Sequence, residues 1–317
     1  MGLLTTTVGW LPKPTSLLRA RWRFSEGEIE AEELRRVEDA AMRAALELQQ
    51  RIGLDVLVDG QLDRGDMVGH FAARLEGMEL LGLVRCFGNR YYRRPRIVGE
   101  VRRAEPITVE RWKAASALAS RPVKAIVTGP YTLMDWSFDE HYRSREACCR
   151  ALAEVIRAEV EDLLEAGATE LQIDEPAIST RPEEMDLAAS ALERVTGAAR
   201  GRARCWTHVA YGDLAPVLDR VLALPVDGVL LELANSDDSW LDALAGLPPD
   251  KLLGAGVIDV LDPEVESVGV VRNRIRAVLA RLPADRVRIA PDSGMRTLPP
   301  AVASAKLEAM VAAAAEF

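Results

Sequence analysis

The chain has 317 residues, 49% of them hydrophobic and 28% charged, enough to bury a substantial core in one soluble globular domain expected to span 1–317. A formal net charge of −9 argues against a nucleic-acid partner or an anionic membrane surface. No apolar run reaches membrane-spanning length and the N-terminus lacks a signal-peptide pattern, so a cytoplasmic protein with no membrane partner is expected.

In chain order, eight short β-like runs stand out, at 5–9, 55–59, 123–128, 170–174, 203–208, 228–232, 253–257 and 287–290. Several are almost continuously apolar, as strands covered on both faces should be. Helical patterns fall at 28–52, 145–166, 183–199, 213–223, 239–245, 265–282 and 299–316. Residues 78–105 read as an insertion after the second strand, with 81–87 and 91–98 flanking Gly88-Asn89 as a β-hairpin. Strand–helix alternation with eight strands predicts an α/β fold, a (β/α)8 TIM barrel. The rival doubly wound sheet usually carries a Gly-rich fingerprint after its first strand, and none is present.

Barrel enzymes place their chemistry at the C-terminal ends of the strands. Those ends carry Trp10, Asp59 with Gln61, Thr128-Gly129-Pro130, Asp174-Glu175-Pro176, His208, Glu232, Asp259 and Asp292-Ser293. Asp59 and Asp292 are the members of this set best suited to a helix N-cap instead. Strand alternation puts Trp206 on the face of His208 and turns Cys205 away as a packed thiol. Four cysteines are too few for a disulfide framework; Cys148 and Cys149 fall on a helix, and neither they nor Cys86 form a CxxC pair. His70 and His141, on helix-like segments, read as packing or surface residues, and Asp237-Asp238 as a helix start.

Five fragments in order carry a resemblance. They are Thr5-Thr6-Thr7-Val8-Gly9 with Pro12; residues 53–60 followed by Arg64 and Asp66-Met67-Val68; 121–130 followed by Trp136-Ser137-Phe138; Gln172-Ile173-Asp174-Glu175-Pro176-Ala177; and Pro291-Asp292-x-Gly294. Together they resemble the catalytic barrel of the cobalamin-independent methionine synthase family, in its single-barrel form. The resemblance implies a methyltransferase whose zinc activates a thiol acceptor, held by a His, a Glu and two thiolates. His208 and Glu232 stand at the first two positions, whereas Ala210 and Ser293 stand where the family has cysteines. Two protein ligands bind zinc weakly, with Asp292 or Asp174 as candidate third ligands. Trp10 replaces a family Ser and Gln61 a family Glu, both of which hold the amino-acid acceptor. Asp174 matches a residue that holds an ammonium group, Trp136 lies in the methyl-donor region, and the Arg64–Asp66 loop lies near the active site. The folate-binding second barrel is missing, which suggests another methyl donor, for example a corrinoid protein.

Without a metal, His208 becomes the general acid or base, with Glu232 orienting it. Asp174 completes the catalytic set, and Trp10, Asp59, Gln61, Trp136, Trp206, Asp292 and Ser293 are expected to line the small-molecule pocket. Glu175 is expected to pair with an arginine inside the barrel. The leading reading is methyl or alkyl transfer on a sulfur-containing or related small substrate with a degenerate zinc site. Its rivals are a metal-independent lyase or decarboxylase using His208 and Asp174, and a binding protein without turnover.

Overall fold

The computed structural model describes residues 2–85, 91–210, 212 and 214–317, with residues 238 and 239 described through their backbone only. Six strands form a parallel sheet in the order β3 (Ala125–Thr128), β5 (Glu170–Asp174), β6 (Arg204–His208), β7 (Gly228–Glu232), β8 (Leu252–Ile258) and β9 (Val287–Pro291). Isolated parallel bridges continue the hydrogen bonding past its edges, from Thr5 to Ile289, from Thr6 to Val56 and from Leu57 to Val123. The architecture is an α/β fold with a parallel sheet, of TIM-barrel-like form. The helices are α1 (Thr15–Ser25), α2 (Ala31–Ile52), α3 (Met67–Ala72), α4 (Val109–Leu118), α5 (Pro130–Asp135), α6 (Arg145–Glu165), α7 (Met185–Thr196), α8 (Leu218–Leu222), α9 (Asp238–Ala243), α10 (Val268–Leu279) and α11 (Pro300–Ala314).

Alternation along each strand sorts the side chains into two cores. Cys205, Val229, Leu231, Leu253, Ala255 and Ile289 point outward into the main apolar core beneath the helices. Trp206, Leu230 and Ala290 form a separate inner cluster, with Leu252 against it. The inner side chains fit because glycines face them: a Cβ on Gly228 would lie 2.4 Å from the Trp206 ring, and one on Gly254 would lie 2.2 Å from Leu230. Beside this cluster, Arg288 holds Glu170 with two hydrogen bonds of 2.9 and 3.0 Å, and the Trp206 indole N–H donates to the same carboxylate at 2.9 Å. The Arg288 guanidinium also lies 4.8 Å from the centroid of the Trp206 ring.

An antiparallel strand pair runs longer than the hydrophobic pattern of 81–98 suggested. β1 (Leu75–Arg85) and β2 (Tyr91–Arg103) pair antiparallel from Leu75 with Arg103 to Arg85 with Tyr91. The expected turn at Gly88-Asn89, and Cys86, lie outside the described residues. A two-residue strand, β4 (Phe138–Asp139), adds in parallel to β2. Three helices, α1, α4 and α5, went unforeseen. α1 buries only Leu17 and Ala20 and exposes Leu18, Trp22 and Phe24, so it offers no apolar periodicity to read. α4 is a short helix that buries Val109, Trp112 and Ala115. The residue pair 237–238 does start a helix: Asp237 Oδ1 accepts from the Trp240 N–H at 3.0 Å ahead of α9.

Candidate active site

The pairing register gathers the central residues. Asp174 pairs with His208 and His208 with Leu230, so the three side chains share a face, and Glu232, two residues beyond Leu230, keeps it. His208 is only 4% exposed, and its Nε2 lies 3.2 Å from the Asp292 carbonyl oxygen at the end of β9. A carbonyl can only accept, so this contact places a proton on Nε2. Glu232 and Asp292 line a cavity of about 310 Å³ with Asp237, Trp240, Asp259 and Leu261.

Asp292 is no helix N-cap. Its Oδ1 accepts from the Leu233 and Ala234 N–H groups at 2.9 and 3.0 Å, bracing the loop after β7. Burial pushes its carboxyl up to about 8, with the Glu232 charge adding to the shift and the two N–H donors opposing it. Asp59 is no helix cap either. Its Oδ1 accepts from the Gln61 N–H at 2.9 Å, a tight turn that carries Gln61 at φ 51°. Burial raises its carboxyl as well. The helix cap is Asp66, whose Oδ1 accepts from Gly69 N–H at 2.6 Å at the start of α3, while its Oδ2 accepts from Arg93 N–H of the hairpin at 3.1 Å.

Unpartnered polar atoms collect around residues 7–9. Both amide atoms of Gln61, Nε and Nη1 of Arg64, Oε1 of Gln172 and Oγ1 of Thr7 are buried without a partner. The connections are short. Gln172 Nε2 donates to Val8 O at 2.7 Å and to Asp174 Oδ1 at 2.6 Å, Lys124 Nζ donates to Thr7 O at 2.8 Å, and Arg64 donates to Ile126 O at 2.9 Å. A Cβ on Gly9 would lie 2.7 Å from Gln61 Oε1. An unsatisfied buried polar group costs about 1–3 kcal/mol, so this concentration at strand ends marks where a ligand or water supplies the missing partners. Burial pushes the Asp174 carboxyl up to about 7 and the Lys124 ammonium down to about 7, each partly restored by the other. Lys124, Gln172 and Thr7, though part of the fragments that carry the family resemblance, were not expected as site residues. A lysine inside the apolar run 123–127 was the available signal.

Several expectations are corrected. Trp206 does share the face of His208, but its ring is buried against Leu230 and its N–H is spent on Glu170, so it packs the barrel interior instead of lining a pocket. Glu175 does not pair with an internal arginine. Its carboxylate accepts from Tyr131 and Thr132 N–H at 3.0 and 2.7 Å at the start of α5, and Arg288 pairs with Glu170. Trp136, at the end of α5, lies against Tyr92 of the hairpin with ring centroids 5.2 Å apart. Trp10 stands at the mouth over the turn at 292–295, whose Met295 N–H donates to Trp10 O at 2.7 Å. Ser293 and Ala210 are both buried there. Cys205 packs in the main core and burial pushes its thiol up to about 12, while Cys148 and Cys149 are buried on α6. His70 packs on Phe71, and His141 is exposed. The metal ligands expected in His208 and Glu232 gain no third: among the described residues, no three His, Cys, Asp or Glu side chains are placed to hold a metal ion.

A parallel α/β fold of TIM-barrel-like form, with a histidine, buried carboxylates and unsatisfied polar groups at its strand ends, has the layout of an enzyme site. Comparison with known proteins narrows this. Residues 3–316 match the model of the cobalamin-independent synthase catalytic domain, and the chain belongs to that family. It is 35% identical to a methionine synthase of Saccharolobus solfataricus, over 98% of this chain and 93% of that one. It is also 35% identical to a 5-methyltetrahydropteroyltriglutamate–homocysteine methyltransferase of Photorhabdus laumondii, of which it spans 40%. Among solved structures, a B12-independent methionine synthase from Shewanella sp. W3-18-1, in complex with selenomethionine, superposes with a TM-score of 0.87 at 27% identity, covering 100% of this chain and 97% of that one. The relatives make this a methyltransferase-type enzyme. No helix among the described residues is long and apolar enough to cross a membrane.

Proposed function

We propose that this protein transfers a methyl or other alkyl group to a small sulfur-containing substrate, and that His208, not a four-ligand zinc, takes the acceptor's proton. The observation that carries the proposal is the 3.2 Å contact of His208 Nε2 with the Asp292 carbonyl. It commits Nε2 to the protein, and the reading gives the role of base to Nδ1. The isolated bridges at Thr5, Thr6 and Leu57 are read as the first two staves of a closed (β/α)8 barrel, with the antiparallel pair β1–β2 as a hairpin inserted after the second.

The residues present do not fit a tight zinc site. Zinc takes four ligands from Cys, His and Asp or Glu. Ala210 offers no donor, the Ser293 hydroxyl is hardly ionised at neutral pH, and His208 Nε2 faces a carbonyl. A free thiol ionises near pH 8.5, so a base working at pH 7 has about 1.5 pH units to supply, roughly 2 kcal/mol. That gap is small enough for a positioned imidazole to cover. In the step proposed, the acceptor S–H gives its proton to His208 Nδ1, the sulfur pair forms the new S–C bond, and the old bond to the donor breaks with its electrons on the donor. Asp174 and the Gln61 amide hold the acceptor. The corrinoid donor gains no support: the relatives whose names include a donor name methyltetrahydropteroyltriglutamate, and they are longer chains.

The test is a thermal-shift panel of homocysteine, methionine, sulfonium compounds and folates, since a ligand that binds only the folded state raises its midpoint. The proposal expects at least one sulfur compound to raise it, and that compound to turn over with wild type but not with His208→Ala. Silence across all sulfur compounds would overturn it.

A further inference from the structure

The cavity of about 310 Å³ is lined by the carboxylates of Glu232, Asp237, Asp259 and Asp292 together with Trp240 and Leu261, and no lysine, arginine or histidine is among its lining residues. Glu232 and Asp237 already have contacts of their own. Asp259 and Asp292 have only neutral partners. Asp292 is 7% exposed; its Oδ1 accepts from two backbone N–H groups, and its Oδ2 has no hydrogen-bond partner among the described residues. Asp259 accepts from Asn235 Nδ2 at 2.8 Å and from the Leu261 and Asp262 N–H groups at 2.8 and 3.3 Å. Lys306 acts on Asp259 from a distance, but its ammonium pairs with Glu266 at 2.6 Å.

A buried carboxylate without a counter-charge is costly, and a cation in the cavity would offset that cost. The rest of the wall selects the cation. Among the described residues no three His, Cys, Asp or Glu side chains are grouped as metal ligands, so a compact metal ion finds no chelating set. The wall instead offers an indole, anchored by its backbone N–H on Asp237 Oδ1 at 3.0 Å, and a leucine side chain. Such surfaces suit a cation whose charge is spread over alkyl groups, which lies against an aromatic face and needs no directed ligands. The cavity also adjoins the base, since Asp292, which lines it, receives His208 Nε2 on its carbonyl oxygen.

We propose that this cavity binds a small alkylated cation, a sulfonium or a quaternary ammonium, and that a sulfonium bound there is the methyl donor. The donor role rests on the transfer reading; the binding does not. In the step, the acceptor sulfur forms a bond to a sulfonium methyl carbon as its proton goes to His208. The bond from that carbon to the donor sulfur breaks with its electrons on the donor, which leaves as a neutral thioether.

The experiment titrates trimethylsulfonium and tetramethylammonium chlorides into the full-length protein at constant ionic strength, against sodium and calcium chlorides. It is run at pH 9, where both carboxylates are ionised. Thermal midpoint and tryptophan fluorescence are both read. Both alkyl cations should give a saturable response that sodium and calcium do not. Asp292→Asn and Asp259→Asn, which keep an oxygen for the backbone donors, should each weaken it by about tenfold or more. Trp240→Leu should weaken it by about threefold or more. No saturable response, a response matched by calcium, or unchanged affinity in both asparagine variants would overturn the site. Trimethylsulfonium that binds but gives no methyl group to an acceptor that another donor methylates would overturn the donor role. Alkyl-cation binding in a protein with no His208-dependent transfer would overturn the transfer reading alone.

Discussion

His208 and Asp292 are joined backbone to side chain, so the histidine's orientation depends on the end of β9 as much as on its own strand. Replacing His208 with Ala should lower transfer by about 10²-fold or more, the usual contribution of a general base, with an unchanged far-UV spectrum. Normal turnover in that variant would remove His208 from the mechanism. Asp292 carries a second prediction. Its folded carboxyl titrates near 8 and its unfolded carboxyl near 3.8, so the folded state binds the extra proton between those values. The sign follows: this group costs stability that is absent below about pH 4, grows as pH rises and is complete above about pH 8. Asp292→Asn keeps the amide oxygen that Leu233 and Ala234 need. It should match wild type at pH 4 and exceed it at pH 8 by on the order of 2–4 kcal/mol in urea unfolding. Equal stability at both pH values would mean that Asp292 is ionised at little cost.

At the scale of elements, the strands were legible and the helices less so. Runs such as 170–174 and 228–232 coincide with β5 and β7: 228–232 is almost continuously apolar, as a parallel strand buried on both faces should be, and 170–174 alternates Leu171 and Ile173 with polar residues. The polar residue closing each run marked the site for the same reason. What was not legible depends on contacts far apart in the chain. Alternation correctly gave Trp206 the face of His208, but only the fold shows that Glu170 and Arg288 claim its ring. Periodicity could not reveal α1, which has almost no buried stripe, nor the full reach of β1 and β2, where Leu80, Leu83, Tyr91 and Val98 are exposed and blur the alternation. Nor could it show that Asp59 sets a turn while Asp66 caps a helix, since both are aspartates in one loop. The interior ion pair yields a prediction at this scale. Glu170→Gln leaves the Arg288 charge buried without its counter-charge and should cost roughly 3–5 kcal/mol in urea unfolding, while activity per folded molecule is kept. A loss below 1 kcal/mol would mean that water reaches the pair.

At the scale of the molecule, the chain matches the family's catalytic domain along nearly its whole length, and the proposed reading places its differences in the side chains at the strand ends. The scaffold and the chemistry are separable here, as barrel architecture permits, because strand packing sits below the layer of residues that does the work. If, as proposed, side-chain changes alone remove the zinc site, side chains alone should restore it. Ala210→Cys combined with Ser293→Cys should bind zinc tightly, because thiolates would complete a tetrahedral set with His208 and Glu232. A double variant that purifies metal-free from zinc-supplied cells would show that those two strand ends are misassigned.

The most direct measurement is the zinc content of the wild-type protein, purified from zinc-supplied cells and analysed beside its transfer activity before and after chelation. The account predicts far less than one zinc per chain and activity that chelation does not change. One tightly held zinc per chain, with activity lost on its removal and regained on its return, would contradict it.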